Sequence, residues 1–281
     1  MRVGLFVHPS DVVVSIKELT ALLGDELVGY SSPLPLAQLS KNIYFEPHPA
    51  ELLACCDTAI MLSNNVIFDE IPRMALRRGV NVFFFDITKY SLNFLNDINL
   101  IAKEIGAKVG FGFSGIKISG ELFNKNPVSG ISYVNITRNL KKGTSISEFS
   151  KSIVFDMATM VRFKGFTTKK NQSLVLPLSN DEFNFIHLSL EMCNGSIIGY
   201  TASRLSESNS LEILLHTDTA RIETADLSLR ENYSNIFESP FSPLPFIDSI
   251  RNGSEMDFTI DQAIQTLSLF ESITKKHFCY C

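Results

Sequence analysis

Over about the first 115 residues, short apolar runs alternate with segments whose apolar residues recur at helical spacing. Val3–Val7 reads as a strand. Between Asp11 and Leu23, Val12, Ile16, Leu19 and Leu23 share a helical face, with Ser10 placed to cap it and Gly24-Asp25 to end it. The alternation continues with strand Glu26–Tyr30, helix Ala50–Cys56 with Pro49 at its first turn, and strand Thr58–Leu62. Helix Phe68–Arg78 closed by Gly79, strand Val80–Phe85, helix Ser91–Ile105 closed by Gly106, and strand Lys108–Phe113 follow. Strands apolar on both faces, each followed by a helix, predict a parallel sheet covered by helices.

Beyond about residue 120 the pattern shifts to period two. Ile131–Arg138 reads as a strand and Ser145–Phe163 as a helix with Ser147 at its start. Phe183–Cys193, Ser196–Arg204, Leu211–His216 and Ala220–Thr224 read as strands, and Asn194-Gly195 signals a hairpin between the first two. On the first, Ile186, Leu188, Leu190 and Met192 share one face. The expectation is an antiparallel sheet with helices on one side. Ser239–Pro245 reads as a loop and Thr259–Lys276 as a closing amphipathic helix. Two domains are expected, 1–118 and 119–281, the last helix running from 259 to 276.

Composition narrows the partners. The 281 residues are 45% hydrophobic with a formal net charge of −5, enough for a sizeable core and without a basic run for nucleic acid. The opening apolar stretch is too short for a signal-peptide core or a bilayer span, so a cytoplasmic protein with no membrane partner is expected. Cys55, Cys56, Cys193, Cys279 and Cys281 make an odd count with no framework spacing. Cys55 and Cys56 belong where a helix gives way to a strand. His277, Cys279 and Cys281 have metal-binding side chains but no fourth ligand, and they read as a terminus with spare thiols; no metal is expected.

The first strand resembles the opening of a dinucleotide-binding βαβ unit, where G-x-G-x-x-G should follow. Instead Val7, Pro9 and Val12 stand at the three glycine positions. Those glycines give a tight turn, close approach to pyrophosphate and close helix–strand packing. Valine serves the first and third poorly, and proline removes an N–H. Asp11, at the helix start, would repel a diphosphate where one would bind. After the second strand, Tyr30-Ser31-Ser32-Pro33 lacks the acid that often meets the ribose hydroxyls, although a serine can hydrogen-bond a ribose, and no arginine stands adjacent for a 2′-phosphate.

The whole plan resembles the Gfo/Idh/MocA family of NAD(P)-dependent oxidoreductases, nearly end to end. Asp57-Thr-Ala-Ile-Met-Leu-Ser63 with the helix to Gly79 is similar to the family's fourth strand and helix. Leu190–Gly195 through Thr201-Ala-Ser-Arg204 is similar to its NG hairpin and T-A-S-R strand, and Pro245–Gly253 with Asp261–Ile273 to its closing loop and helix. The resemblance implies an N-terminal Rossmann-like parallel-sheet domain and a C-terminal α+β domain with an open, mostly antiparallel sheet. It also implies hydride transfer between NAD(P) and a sugar-like alcohol or carbonyl, and a homo-oligomer through the exposed sheet.

The departures fall on the functional positions. The family's T-P-N-x-x-H turn reads Ser63-Asn64-Asn65-Val66-Ile67-Phe68, keeping only Asn65. Its E-K-P reads Phe85-Asp86-Ile87, so an orienting cation has become an anion, with Lys89 and Tyr90 expected to fall beyond reach. Its H-x-x-D helix positions read Phe155 and Ala158, and Asp156 points about 100° away from its neighbour. The 22 phenylalanines read as core, with Phe68, Phe85 and Phe155 filling a formerly polar cleft. The expected function is therefore an oxidoreductase-like protein without competent dehydrogenase activity, kept for ligand binding or assembly. The alternative is a divergent NAD(P)-dependent oxidoreductase with a proton relay through Asp86, Tyr90 or water. The candidate rim is His8, Ser10, Ser31, Ser63, Asn64, Asn65 and Asp86, which is polar but poor in cations and suits a neutral small molecule better than a phosphate.

Overall fold

The computed structural model describes residues 1–8, 16–36, 43–62, 70–112, 131–162, 167–177, 183–217, 221–224, 243–256 and 258–278. They form two compact units, Met1–Ile116 with Tyr233–Ile264, and Lys117–Asn232 with Gln265–Cys281. The first unit is discontinuous, and a late segment of the chain belongs to it. Its late segment supplies helix α6, described below, whose Phe246 and Ile247 join the first unit's core.

The first unit holds five parallel strands: β1 (Val3–Phe6), β2 (Leu27–Ser31), β3 (Thr58–Met61), β4 (Asn81–Phe84) and β5 (Val109–Phe111), in the order β2-β1-β3-β4-β5. A lone parallel bridge from Tyr30 to Phe45 adds a rudimentary strand outside β2. Counting it, the sheet reads 3-2-1-4-5-6 in chain order, the doubly wound order of dinucleotide-binding sheets. The helices are α1 (Ile16–Leu23), α2 (Pro49–Cys55), α3 (Ile71–Arg77) and α4 (Leu92–Ile105). Alternation sends Val3, Leu5, Val7, Ile60, Phe83 and Phe85 to one face, against Leu19 and Leu23 of α1. The other face carries Phe84 into an aromatic group with Tyr90, Phe94 and Phe111.

Local signals placed these elements well. Ser91 Oγ accepts from the Phe94 N–H to cap α4, and Gly106 ends that helix at φ 79°. Helix α2 starts on Pro49, and Cys56 lies at its end as expected. Helix α6 (Leu244–Asn252) corrects the expected loop across Ser239–Pro245 and Pro245–Gly253, of which 239–242 lie outside the described residues. It has a proline in its first turn and left-handed Gly253 just past its end, a pairing typical of helices. Its Phe246 ring lies against Gly110, where a Cβ would come within 2.2 Å of Cδ2.

The second unit is a six-stranded sheet in the order β11-β10-β6-β9-β8-β7, made of β6 (Ile131–Lys141), β7 (Thr168–Pro177), β8 (Phe183–Met192), β9 (Ile197–Ser206), β10 (Ser210–Thr217) and β11 (Arg221–Thr224). It is mostly antiparallel, but β6 and β9 run parallel, so the sheet is mixed. The hairpin turns at Asn194-Gly195, with Gly195 at φ 85°. Helix α5 (Ile146–Val161) and Leu269 and Ile273 of α7 (Ile260–Phe278) cover one face. Ser145, not Ser147, starts α5, in a capping box with Glu148. The opposite face is open: His187 is exposed, and Leu174 and Leu176 are each 50% exposed.

Candidate functional site

In a parallel sheet all carboxyl ends share one edge, and ligands bind in the crevice outside it where the strand order reverses, here between β1 and β3. The ladder runs one residue past the strands at this edge. Val7 N donates to Ser31 O, Leu62 N to Phe6 O and Gly112 N to Phe84 O, each at 2.9 Å. These bonds carry the chain out to His8 after β1, Ser31 and Ser32 at the end of β2, and Asp86 after β4. Ser10, Ser63, Asn64 and Asn65 lie outside the described residues, as do Pro9, Asp11, Val12 and Phe68.

Each described position is already defined by its neighbours. His8 is half-buried. Ser31 and Ser32 are buried, and their hydroxyls have no hydrogen-bond partner among the described residues. A buried hydroxyl left so costs about 1–3 kcal/mol unless a water or a ligand group meets it. Asp86 caps the short 3₁₀ turn Ile87–Lys89, its Oδ1 accepting from Thr88 N at 2.9 Å and Thr88 Oγ1 at 2.6 Å. Tyr90 stacks on Phe94 at 4.9 Å and meets Phe84 edge-on at 4.8 Å. Phe85 does not fill a cleft: it is 6% exposed and packs edge-on against Phe83, because alternation puts both on the core face.

The described part of this edge is apolar or uncharged immediately after each strand. No described residue directly following a strand there is lysine or arginine, and no carboxylate ends β2. The hydroxyls of its two serines are shut away from solvent.

In the second unit, Phe155 is half-buried on α5 and Ala158 fully buried. Asp156 turns into the sheet. Its Oδ2 accepts from Arg138 Nε at 2.8 Å and from the Tyr200 hydroxyl at 3.0 Å, and its Oδ1 accepts from Arg138 Nη2. Burial, reinforced by the Asp156 charge, pushes the Tyr200 hydroxyl well above its ordinary range. Sequence reasoning missed this trio. Its signal was Arg138, a charged residue in the inward row Val134, Ile136, Arg138, Leu140. Among the described residues no cluster of metal-ligating side chains forms and no helix is long and apolar enough to cross a membrane.

No protein-family model and no curated protein matches the chain by sequence. Solved structures match it over nearly its whole length. UDP-N-acetylglucosamine 3-dehydrogenase from Acidithiobacillus ferrooxidans superimposes with a TM-score of 0.77 at 12% identity, covering 97% of this chain and 96% of that one. A probable dehydrogenase from Thermotoga maritima gives 0.78 at 14%, over 98% and 96%. Scyllo-inositol dehydrogenase from Lactobacillus casei, solved with NAD(H) and scyllo-inositol, gives 0.72 at 14%, also over 98% and 96%. This chain has the Gfo/Idh/MocA dehydrogenase fold. Within that fold, Asp86 stands where the resemblance puts the family's lysine, and Phe155 and Ala158 where it puts the histidine and aspartate.

Proposed function

We propose that this Gfo/Idh/MocA-fold protein does not carry out hydride transfer and keeps its first sheet to bind a neutral small molecule. One observation carries the reading: at the position of the family's lysine, Asp86 is an anion tied into its own turn by Thr88. A cation there would orient substrate and polarise its oxygen, whereas a capped carboxylate does neither. Asp156 supports the same reading, because its carboxylate is buried in an ion pair with Arg138. The buried hydroxyls of Ser31 and Ser32 have no hydrogen-bond partner among the described residues, which leaves them to be met by a water or a ligand group. Free thiols at Cys55, Cys56 and Cys193 agree with a cytoplasmic setting.

Titration with NADH and NADPH, followed by nucleotide fluorescence and thermal shift, tests this. No response is expected up to about 1 mM cofactor. Binding of micromolar order would overturn the reading and favour a divergent NAD(P)-dependent oxidoreductase acting on a sugar-like alcohol or carbonyl.

The open face of the second sheet supports a homo-oligomer. Leu174 and Leu176 are half-exposed there beside His187, whose Nδ1 lies 3.0 Å from Thr201 Oγ1. Sedimentation equilibrium should show association that Leu174→Lys with Leu176→Lys abolishes; a parent chain that stays monomeric at about 100 μM would count against it.

A further inference from the structure

We propose that the buried Arg138–Asp156–Tyr200 trio is a registry lock, fixing one seating of α5 on the second sheet that its apolar contacts leave ambiguous. The sheet-facing stripe of α5 returns every three or four residues: Phe149, Ile153, Met157 and then Met160, all buried. The sheet beneath offers rows of similar character, Val134 and Ile136 on β6 and Ile186, Leu188 and Leu190 on β8. Moving the helix by one turn, about 5.4 Å, would set apolar groups over apolar groups again. Hydrophobic attraction has no direction, and Met157 and Met160 reshape easily to fill gaps.

Asp156 breaks this degeneracy. Its carboxylate is met from two neighbouring strands, by the Arg138 fork on β6 and the Tyr200 hydroxyl on β9. One turn away in either direction α5 offers Ser152 or Met160, and neither can take a guanidinium fork. A shifted helix would leave the Arg138 charge without its counter-ion in an apolar interior, the case in which a buried charge is most costly. Arg204 holds the chain at the entrance, donating to Thr144 O at 2.9 Å, but that contact precedes the helix and does not set its rotation three turns on.

A lock of this kind favours one arrangement without adding net stability, and that separates it from an ordinary stabilising ion pair. The triple variant Arg138→Met, Asp156→Leu, Tyr200→Phe tests it by thermal melting and amide hydrogen exchange. The expected result is a melting temperature no lower than the parent's, with amides 149–161 exchanging at least about tenfold faster while the strands beneath keep their protection. Protection of α5 within about twofold of the parent's overturns the proposal, as does a lower melting temperature with loosening spread evenly over the unit. Should the triple variant not fold, Tyr200→Phe decides. Exchange about threefold faster and confined to α5 supports the lock, and no change or a uniform change sinks it.

Discussion

The two sheets dispose of polarity in opposite ways. The first is sandwiched between helices, and its interior rows are apolar, so its polar side chains are left to strand ends such as Ser31, Ser32 and Thr58. Among the described residues the second has helices on one face only, yet it buries a full ion pair under α5 and turns a polar row through His187 and Thr201 to its other side. In the first unit, therefore, residues at the strand ends can change while the core stays as it was. In the second, the conspicuous charged group is buried inside the packing.

The sharpest way to break that contrast is to attack the Arg138–Asp156 pair in the second core. Arg138→Met alone leaves Asp156 buried without its cation and should cost about 3–5 kcal/mol in urea unfolding. A loss near zero would mean that water reaches the pair and that the second core is not dry. A smaller effect is expected in the core of the first unit. Gly110→Ala drives a methyl group into the Phe246 ring and should cost about 1–3 kcal/mol, with part recovered when Phe246→Ala is added. Equal losses with and without the Phe246 change would show that α6 does not press on β5.

Much of this architecture can be read from the chain because its signals are local. Alternation of Ile186, Leu188, Leu190 and Met192 with an Asn-Gly turn defines β8 and β9, and Ser91 and Gly106 bracket α4. Strand β7 escaped because Lys169, Lys170, Asn171, Gln172 and Ser173 are polar in succession, as an edge strand with an exposed side allows. Helix α6 escaped because its prolines read as loop, although one sits in the first turn where the helix tolerates it. At the candidate site, the sequence names Asp86 but not its work: the carboxylate caps its own turn by accepting from Thr88 two residues on, a local bond that a reading aimed at the family's lysine position passes over. The Asp156 pairing is further from view, since Arg138 and Tyr200 come from other elements and meet it only in the packed unit.

Phe246 and Ile247 fill the core of a sheet whose last strand ends at Phe111. A chain emerging from the ribosome must therefore present its five parallel strands long before the aromatic wedge that seals them has been made. The domain begun first is among the last to be completed, and until residue 247 is free of the exit tunnel Phe83 and Gly110 stay uncovered, a surface for chaperones to shield.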